Sequence, residues 1–224
     1  MPPGPKTLSK SARSMAKLAM KPSPRSLLQI AGAPLHPSPL EHSALLLIDA
    51  QLEYTSGAVR LEGIDDAVRE AARVLHMART HRVPVFHIVH HGKPGAPLFD
   101  PRGPNVSSIP LLAPREGETV VTKSLPNAFA GTNLLSMLRQ TGRQELIIAG
   151  FATHMCVSAT TRAALDLGYR CTLVANATAT RDLPHPFRDE ITPAKVVHEG
   201  TLAALADRFA IIVPDAAAIV AAGR

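Results

Sequence analysis

Residues 43–51 read SALLLIDAQ. Ser43 to Ile48 is an unbroken apolar run of the length and uniformity that a strand buried on both faces requires, because a strand with one wet face would alternate polar and apolar residues. It stops at Asp49, a charged residue set where a parallel sheet opens toward its ligands. Reading outward, apolar Ile64, Val68, Ala71, Val74, Leu75 and Ala78 recur at helical spacing across Gly63 to His81, and Val83 to Val89 returns to strand. Thr119 to Thr122 predicts a third strand, ending at Lys123, and Thr132 to Gln140 a helix. Glu145 to Ala149 predicts a further buried strand closed by Gly150, followed by a helix over Thr153 to Leu167 that Gly168 stops. Arg170 to Val174, a helix over Pro193 to Asp207 and Phe209 to Val213 complete the alternation. Six strands with intervening helices predict an α/β domain: a three-layer α/β/α, Rossmann-like arrangement around a mainly parallel six-stranded sheet. The Gly- and Pro-bearing stretch His91 to Glu118 is too long for a simple connection and is expected to form a lid or wall over a pocket.

A chain of 224 residues is large enough to bury one sizeable core without disulfides or a structural metal. No apolar run approaches the roughly 18 residues of a membrane-spanning helix, so no membrane association is expected of the domain. The formal charge of +6 is unevenly placed. Residues 1–40 hold Lys6, Lys10, Arg13, Lys17, Lys21 and Arg25 and no acid, which leaves 18 basic residues against 18 acidic ones in the rest. A basic groove for nucleic acid is therefore not indicated for the body. The expected division is a basic, Pro/Ser-rich, flexible extension over 1–40 and a folded domain over 41–224. Within the extension, Leu8, Ala12, Met15 and Ala19 fall at helical spacing between Thr7 and Met20, giving a short basic amphipathic helix. A loosely docked arm, an organelle transit peptide and a membrane or polyanion patch are the competing readings of it. Two cysteines without a CxxC pair suit a reducing cytoplasm.

Asp49 follows the first strand, Lys123 the third, and Cys156 lies just past the fourth, so three reactive side chains fall on one rim of the sheet. Each alone has a bland reading, as helix cap, solvated cation and packing thiol; their joint placement carries the weight. A cysteine in the first turn of a helix feels unpaired N–H groups and the positive dipole end, and Lys123 adds a second positive charge, so a thiolate is expected. Asp49 can take the thiol proton and hand it to a leaving amine. The backbone N–H of Cys156, with one from the turn before it, can hold an oxyanion.

The pieces LLLIDAQ (45–51), VTKSLPNAFAGTNL (121–134) and AGFATHMCVSATTRAALDLGY (149–169) resemble the isochorismatase-like cysteine hydrolases, in the right order and over roughly residues 43–213. The resemblance implies that fold, the triad Asp49, Lys123 and Cys156, an oxyanion hole from Ala152 and Cys156 shaped by a cis peptide at Phe151–Ala152, and a homo-oligomer acting on a small-molecule amide. Nicotinamidases of this family carry a metal-binding His two residues after the triad Asp; Gln51 stands there instead, and no metal or other cofactor is expected, although His87, His90 and His91 cluster at the end of the second strand. Vinyl-ether-cleaving members need no cysteine, so Cys156 favours amide, lactam or carbamoyl chemistry. The D-A-Q-x-x-Y opening, the FDPRGP run (99–104) and GFATHMCVS are most similar to streptothricin hydrolases. The rival readings are vinyl-ether hydrolysis in the same fold and a catalytically silent binding protein.

Around these residues the sequence leaves alternatives open. Tyr54, Phe129 and Phe151 either line the substrate pocket or fill the core. His154 contacts substrate or satisfies the helix start. Gln51 bonds the ligand or braces the loop after Asp49. Cys171 reads as packing, and Asp182 as a turn or interface residue.

Overall fold

The computed structural model describes residues 23–222; the helix read over Thr7 to Met20 lies outside them. Five strands and an edge strand form one sheet in the order β3 (Thr119–Lys123), β2 (Val85–His90), β1 (Ser43–Ile48), β4 (Glu145–Phe151), β5 (Arg170–Ala179), β8 (Ile211–Val213). Every pairing is parallel. The order runs one way from β1 to β3 and the other way from β4 to β8, so β1 and β4 flank the point at which crossovers change direction. At such a point the connections diverge and leave a crevice at the carboxyl ends of the strands.

The uniform apolarity of β1 has a simple cause: both of its faces are covered. Leu45 and Leu47 pack with α2 (Ile64–Thr80) and α6 (Ala216–Ala222), while Ala44, Leu46 and Ile48 pack with α3 (Leu134–Gln140) and α4 (Ser158–Asp166). Each leucine withdrawn from water here contributes about 1.5–3 kcal/mol. The expected three-layer architecture is the observed one. α5 (Ala194–Arg208) completes the second helical layer.

The 91–118 connection is pinned by the residues that follow β1. Ala50 O accepts from Ile109 N, Leu52 N donates to Ser107 O, and Gln51 pairs with Ser108. Buried Glu53 receives the N–H of Ala58 at 2.7 Å and of Phe99 at 3.1 Å. At its far end Glu118 binds Arg79 through both oxygens and accepts from His87 Nε2 at 2.8 Å, and the Arg79 bonds hold its carboxyl down at about 2. The segment is therefore a fixed wall.

Three features depart from the sequence reading. β5 continues to Ala179, five residues past the expected end, with a register shift opposite Ile148 to Gly150; its Ala, Asn and Thr residues carry little apolar signal. A hairpin of β6 (Leu183–Pro184) and β7 (Ile191–Thr192) follows, and Asp182 before it accepts the N–H of Ala194 at the start of α5. Within the stretch read as an extension, residues 23–40 lie along the domain. Leu27 N donates to Asp207, and the Ser38 N–H and hydroxyl bond Thr172, both residues being buried. Leu27–Ile30 is a short helix, α1, closed by a Ser26/Gln29 capping box. Among the described residues no helix is long and apolar enough to cross a membrane.

Gly150 permits the close approach of β4 to β1. At its φ of 117° a Cβ would sit 2.0 Å from Ile48 O. Gly168 also has positive φ, 90°, but meets nothing within 4 Å. Gly168→Ala is therefore expected to lose about 1–3 kcal/mol from strain alone, and Gly150→Ala distinctly more. Urea unfolding of both variants checks this, and the reverse order would show that the sheet has room there.

Candidate active site

Asp49 leaves β1 with a positive φ of 47°, and its side chain is fully buried. Lys123 is the last residue of β3, two strands away, and its side chain has no exposure. Cys156 lies in a π-helical turn, Thr153–Val157, that leaves β4 before α4 begins. The turn is anchored on Ala152 O, which accepts from both Met155 N and Val157 N. Thr153 Oγ1 meets His198 Nδ1 at 3.0 Å, and His154 Nδ1 bonds Thr180 Oγ1. The Phe151–Ala152 peptide is cis.

These elements bring the three residues together. Lys123 Nζ donates to Asp49 Oδ2 at 2.8 Å and to Cys156 Sγ at 3.3 Å. A third contact, 3.1 Å, goes to His90 Nδ1 at the end of β2. Asp49, His90 and Cys156 each offer a ligand atom within 4.8 Å of the others, a set able to hold a metal ion, but the Lys123 nitrogen occupies the middle of it. Asp49 Oδ1 is buried and has no hydrogen-bond partner among the described residues.

The electrostatics reverse one expectation. Burial first, and then the Asp49 carboxylate, push the Cys156 thiol up to about 12, against the opposing pull of Lys123. Burial likewise raises the Asp49 carboxyl. These influences favour the thiol over the thiolate read from the helix start, because the desolvation of an anion opposes the pull of one nearby cation. Burial, Lys123 and His91 lower the His90 ring to about 4, which leaves it neutral. The Tyr54 hydroxyl is raised by burial and by Asp49 and Cys156.

Cys156 opens into a cavity of about 280 Å³. Tyr54, Leu61, Leu98, Phe99 and Met155 give it apolar walls; His90, His154 and Arg181 supply its polar edge. A larger cavity, about 430 Å³, opens between the starts of α2 and α5 and holds none of the three reactive groups. Of the residues proposed to contact substrate, Tyr54 and His154 line the smaller cavity, and Ala152 lies in its wall. Phe151 is fully buried beneath it, 6.2 Å from Tyr54. Phe129 stacks on Tyr169 at 6.5 Å and packs against the core. Gln51 is a brace: Nε2 donates to His90 O and Val106 O, and Oε1 accepts from His90 N. Cys171 is buried packing, as expected. His87 is committed to Glu118, away from the other histidines.

Two residues were missed. His90 was read only as a metal-ligand candidate, since its partner Lys123 is 33 residues away and the contact depends on strand order. Arg181 makes no ion pair among the described residues and donates only to Asp182 O, at 3.2 Å. The strand-end rule would have found it had β5 been read to its true length.

Residues 43–214 match the isochorismatase domain. The chain belongs to the isochorismatase family. It is 34% identical over 190 residues to a secreted isochorismatase effector of Verticillium dahliae, covering 84% of this chain and 95% of that one. A streptothricin hydrolase of Streptomyces noursei is 38% identical over 184 residues, 79% of this chain and 63% of its own, and a maleamate amidohydrolase of Pseudomonas putida is 30% identical over 156 residues, 62% and 72%. The crystal structure of an isochorismatase from Pseudomonas putida KT2440 superposes with a TM-score of 0.82 at 45% identity, covering 87% of this chain and 98% of that one. As an isochorismatase-family hydrolase, the protein shares its sheet and helical layers with that crystal structure.

The raised thiol yields a signed expectation. Because burial keeps the sulfur protonated, its attack on an electrophile needs a nearby acceptor for the proton, and Asp49→Asn removes that acceptor. Alkylation of Cys156 by iodoacetamide at pH about 7 should then be slower than in the wild type, by about tenfold or more. Rate constants with the modified residue located by mass spectrometry check this; faster alkylation would mean that the carboxylate only opposes the thiolate.

Proposed function

We propose that the protein is a cysteine hydrolase that cleaves a C–N amide, lactam or carbamoyl bond of a small molecule through a thioester on Cys156. The observation that carries this reading is the buried Asp49 carboxyl, which has one oxygen without a partner among the described residues and lies within 4.8 Å of the Cys156 sulfur, whose other neighbour is Lys123. Buried carboxylate oxygens without partners are costly, and a proton to be received gives this one a use.

In this reading Asp49 takes the thiol proton as sulfur attacks the substrate carbonyl carbon, and Lys123 balances the charge on sulfur as it forms. The N–H groups of Ala152 and Cys156 receive the oxyanion. The C–N bond breaks, Asp49 delivers its proton to the departing nitrogen, and an acyl thioester remains. Water, deprotonated by Asp49, attacks that thioester; the acid leaves and the thiol is restored. The apolar walls exclude water from the buried charges, which strengthens each interaction during transfer. Arg181, at the cavity edge, suits a substrate with a polar or anionic remote group. The relatives named streptothricin hydrolase and maleamate amidohydrolase support C–N chemistry.

A second reading, vinyl-ether hydrolysis, is favoured by the relative named an isochorismatase effector. One experiment separates the two. Cys156→Ala and Cys156→Ser are expected to lower turnover of a responsive amide by at least about a thousandfold, and intact mass of the wild type with that amide should show an acyl adduct on Cys156. Undiminished amide turnover in the variants refutes the thioester route; retained vinyl-ether cleavage by them favours the second reading.

A further inference from the structure

An alkylammonium group has three N–H donors and no acceptor. Lys123 is buried, so water cannot serve any of the three. Two go to Asp49 Oδ2 and Cys156 Sγ, and the remaining neighbour is His90 Nδ1. A ring nitrogen accepts from an ammonium only if it carries no hydrogen, so the hydrogen of the neutral ring must sit on Nε2.

The rest of the structure holds the ring in that position. His90 pairs with Lys123 in the parallel ladder of β2 and β3. Its backbone N–H and C=O are both gripped by the Gln51 amide, at 2.7 and 2.9 Å. Its ring sits edge-on to Phe99 at 5.0 Å. His90 lines the cavity into which Cys156 opens, and Nε2 has no hydrogen-bond partner among the described residues, nor is it sealed from solvent.

We infer that His90 is a positioning residue of the site: it is the third acceptor that fixes the Lys123 ammonium, and the tautomer this imposes leaves Nε2–H as a fixed donor for an acceptor atom of the ligand. Gln51 acts through it by clamping its backbone. The inference rests on Lys123 being the charge partner of Cys156, as in the proposed function, but its test requires no substrate.

The probe is the rate of Cys156 alkylation by iodoacetamide against pH, with the modified residue located by mass spectrometry, in the wild type, His90→Phe and His90→Asn. H90F keeps a ring against Phe99 and removes the acceptor; H90N places a carbonyl oxygen at the δ position, where it can receive the Lys123 hydrogen. H90F is expected to react about tenfold more slowly near pH 8 and to have its profile displaced to higher pH, because an ammonium short of one acceptor stabilises a thiolate less well. H90N should recover the rate to within about threefold. An H90F profile matching the wild type, or an H90N profile as displaced as that of H90F, overturns the inference.

Nitrogen NMR of the wild-type histidines decides independently if H90F fails to fold. The signals absent from H90N belong to His90, and should show a bare Nδ1 and a protonated Nε2 down to about pH 5, above the ring's value of about 4. A protonated Nδ1 in that range overturns the assignment. Full amide turnover by a Cys156→Ala enzyme would defeat the hydrolase reading while leaving these results intact.

Discussion

The buried Lys123 ammonium is the constraint on which the site depends. A cation removed from water must find acceptors for all its hydrogens or be strongly destabilising. Its three acceptors come from the end of β1, the end of β2 and the turn after β4, while the lysine itself ends β3. Four strand ends must converge within a few ångströms, so an error in any one register would leave charge unpaired in the interior. Sheet and site therefore support one another.

Convergence is enforced by less conspicuous residues. Gly150 lets β4 run against the end of β1 where a side chain would collide with Ile48 O. Gln51 and Glu53, just past Asp49, tie β2 and the long 91–118 connection to the same place, so the segment that sets the register of His90 also positions Phe99 in the pocket wall. Polar side chains there are spent on backbone partners, which explains why the cavity is apolar apart from the groups that face it.

Lys123 faces Asp49, and Cys156 and His90, whose charged forms burial disfavours, complete its shell. In the proposed reaction the proton on sulfur moves to Asp49 only as a substrate arrives, and the low dielectric that keeps the thiol protonated also strengthens the ammonium's hold on the charge that develops. Activation then resides in a proton acceptor beside the thiol, and the helix start contributes less than its position along the chain suggests.

Much of this was legible in the chain. The apolar runs in SALLLI and ELIIA called for strands covered on both sides, their alternation with helical segments made the sheet parallel, and the strand-end rule placed Asp49, Lys123 and Cys156 on one rim. The motifs of 43–51, 121–134 and 149–169 pointed to the family that the domain match established. What tertiary structure alone decided were properties that depend on neighbours distant in sequence: the full length of β5, whose small residues carry no periodic signal; the attachment of residues 23–40, which includes bonds to Asp207, Arg170 and Thr172; the assignment of Gln51 as a brace and of Phe129 as packing against the core; and the pairing of His90 with Lys123. The state of the Cys156 thiol belongs with these, since desolvation is set by everything packed around a group, and one-dimensional order specifies which residues are present but not how much water they exclude.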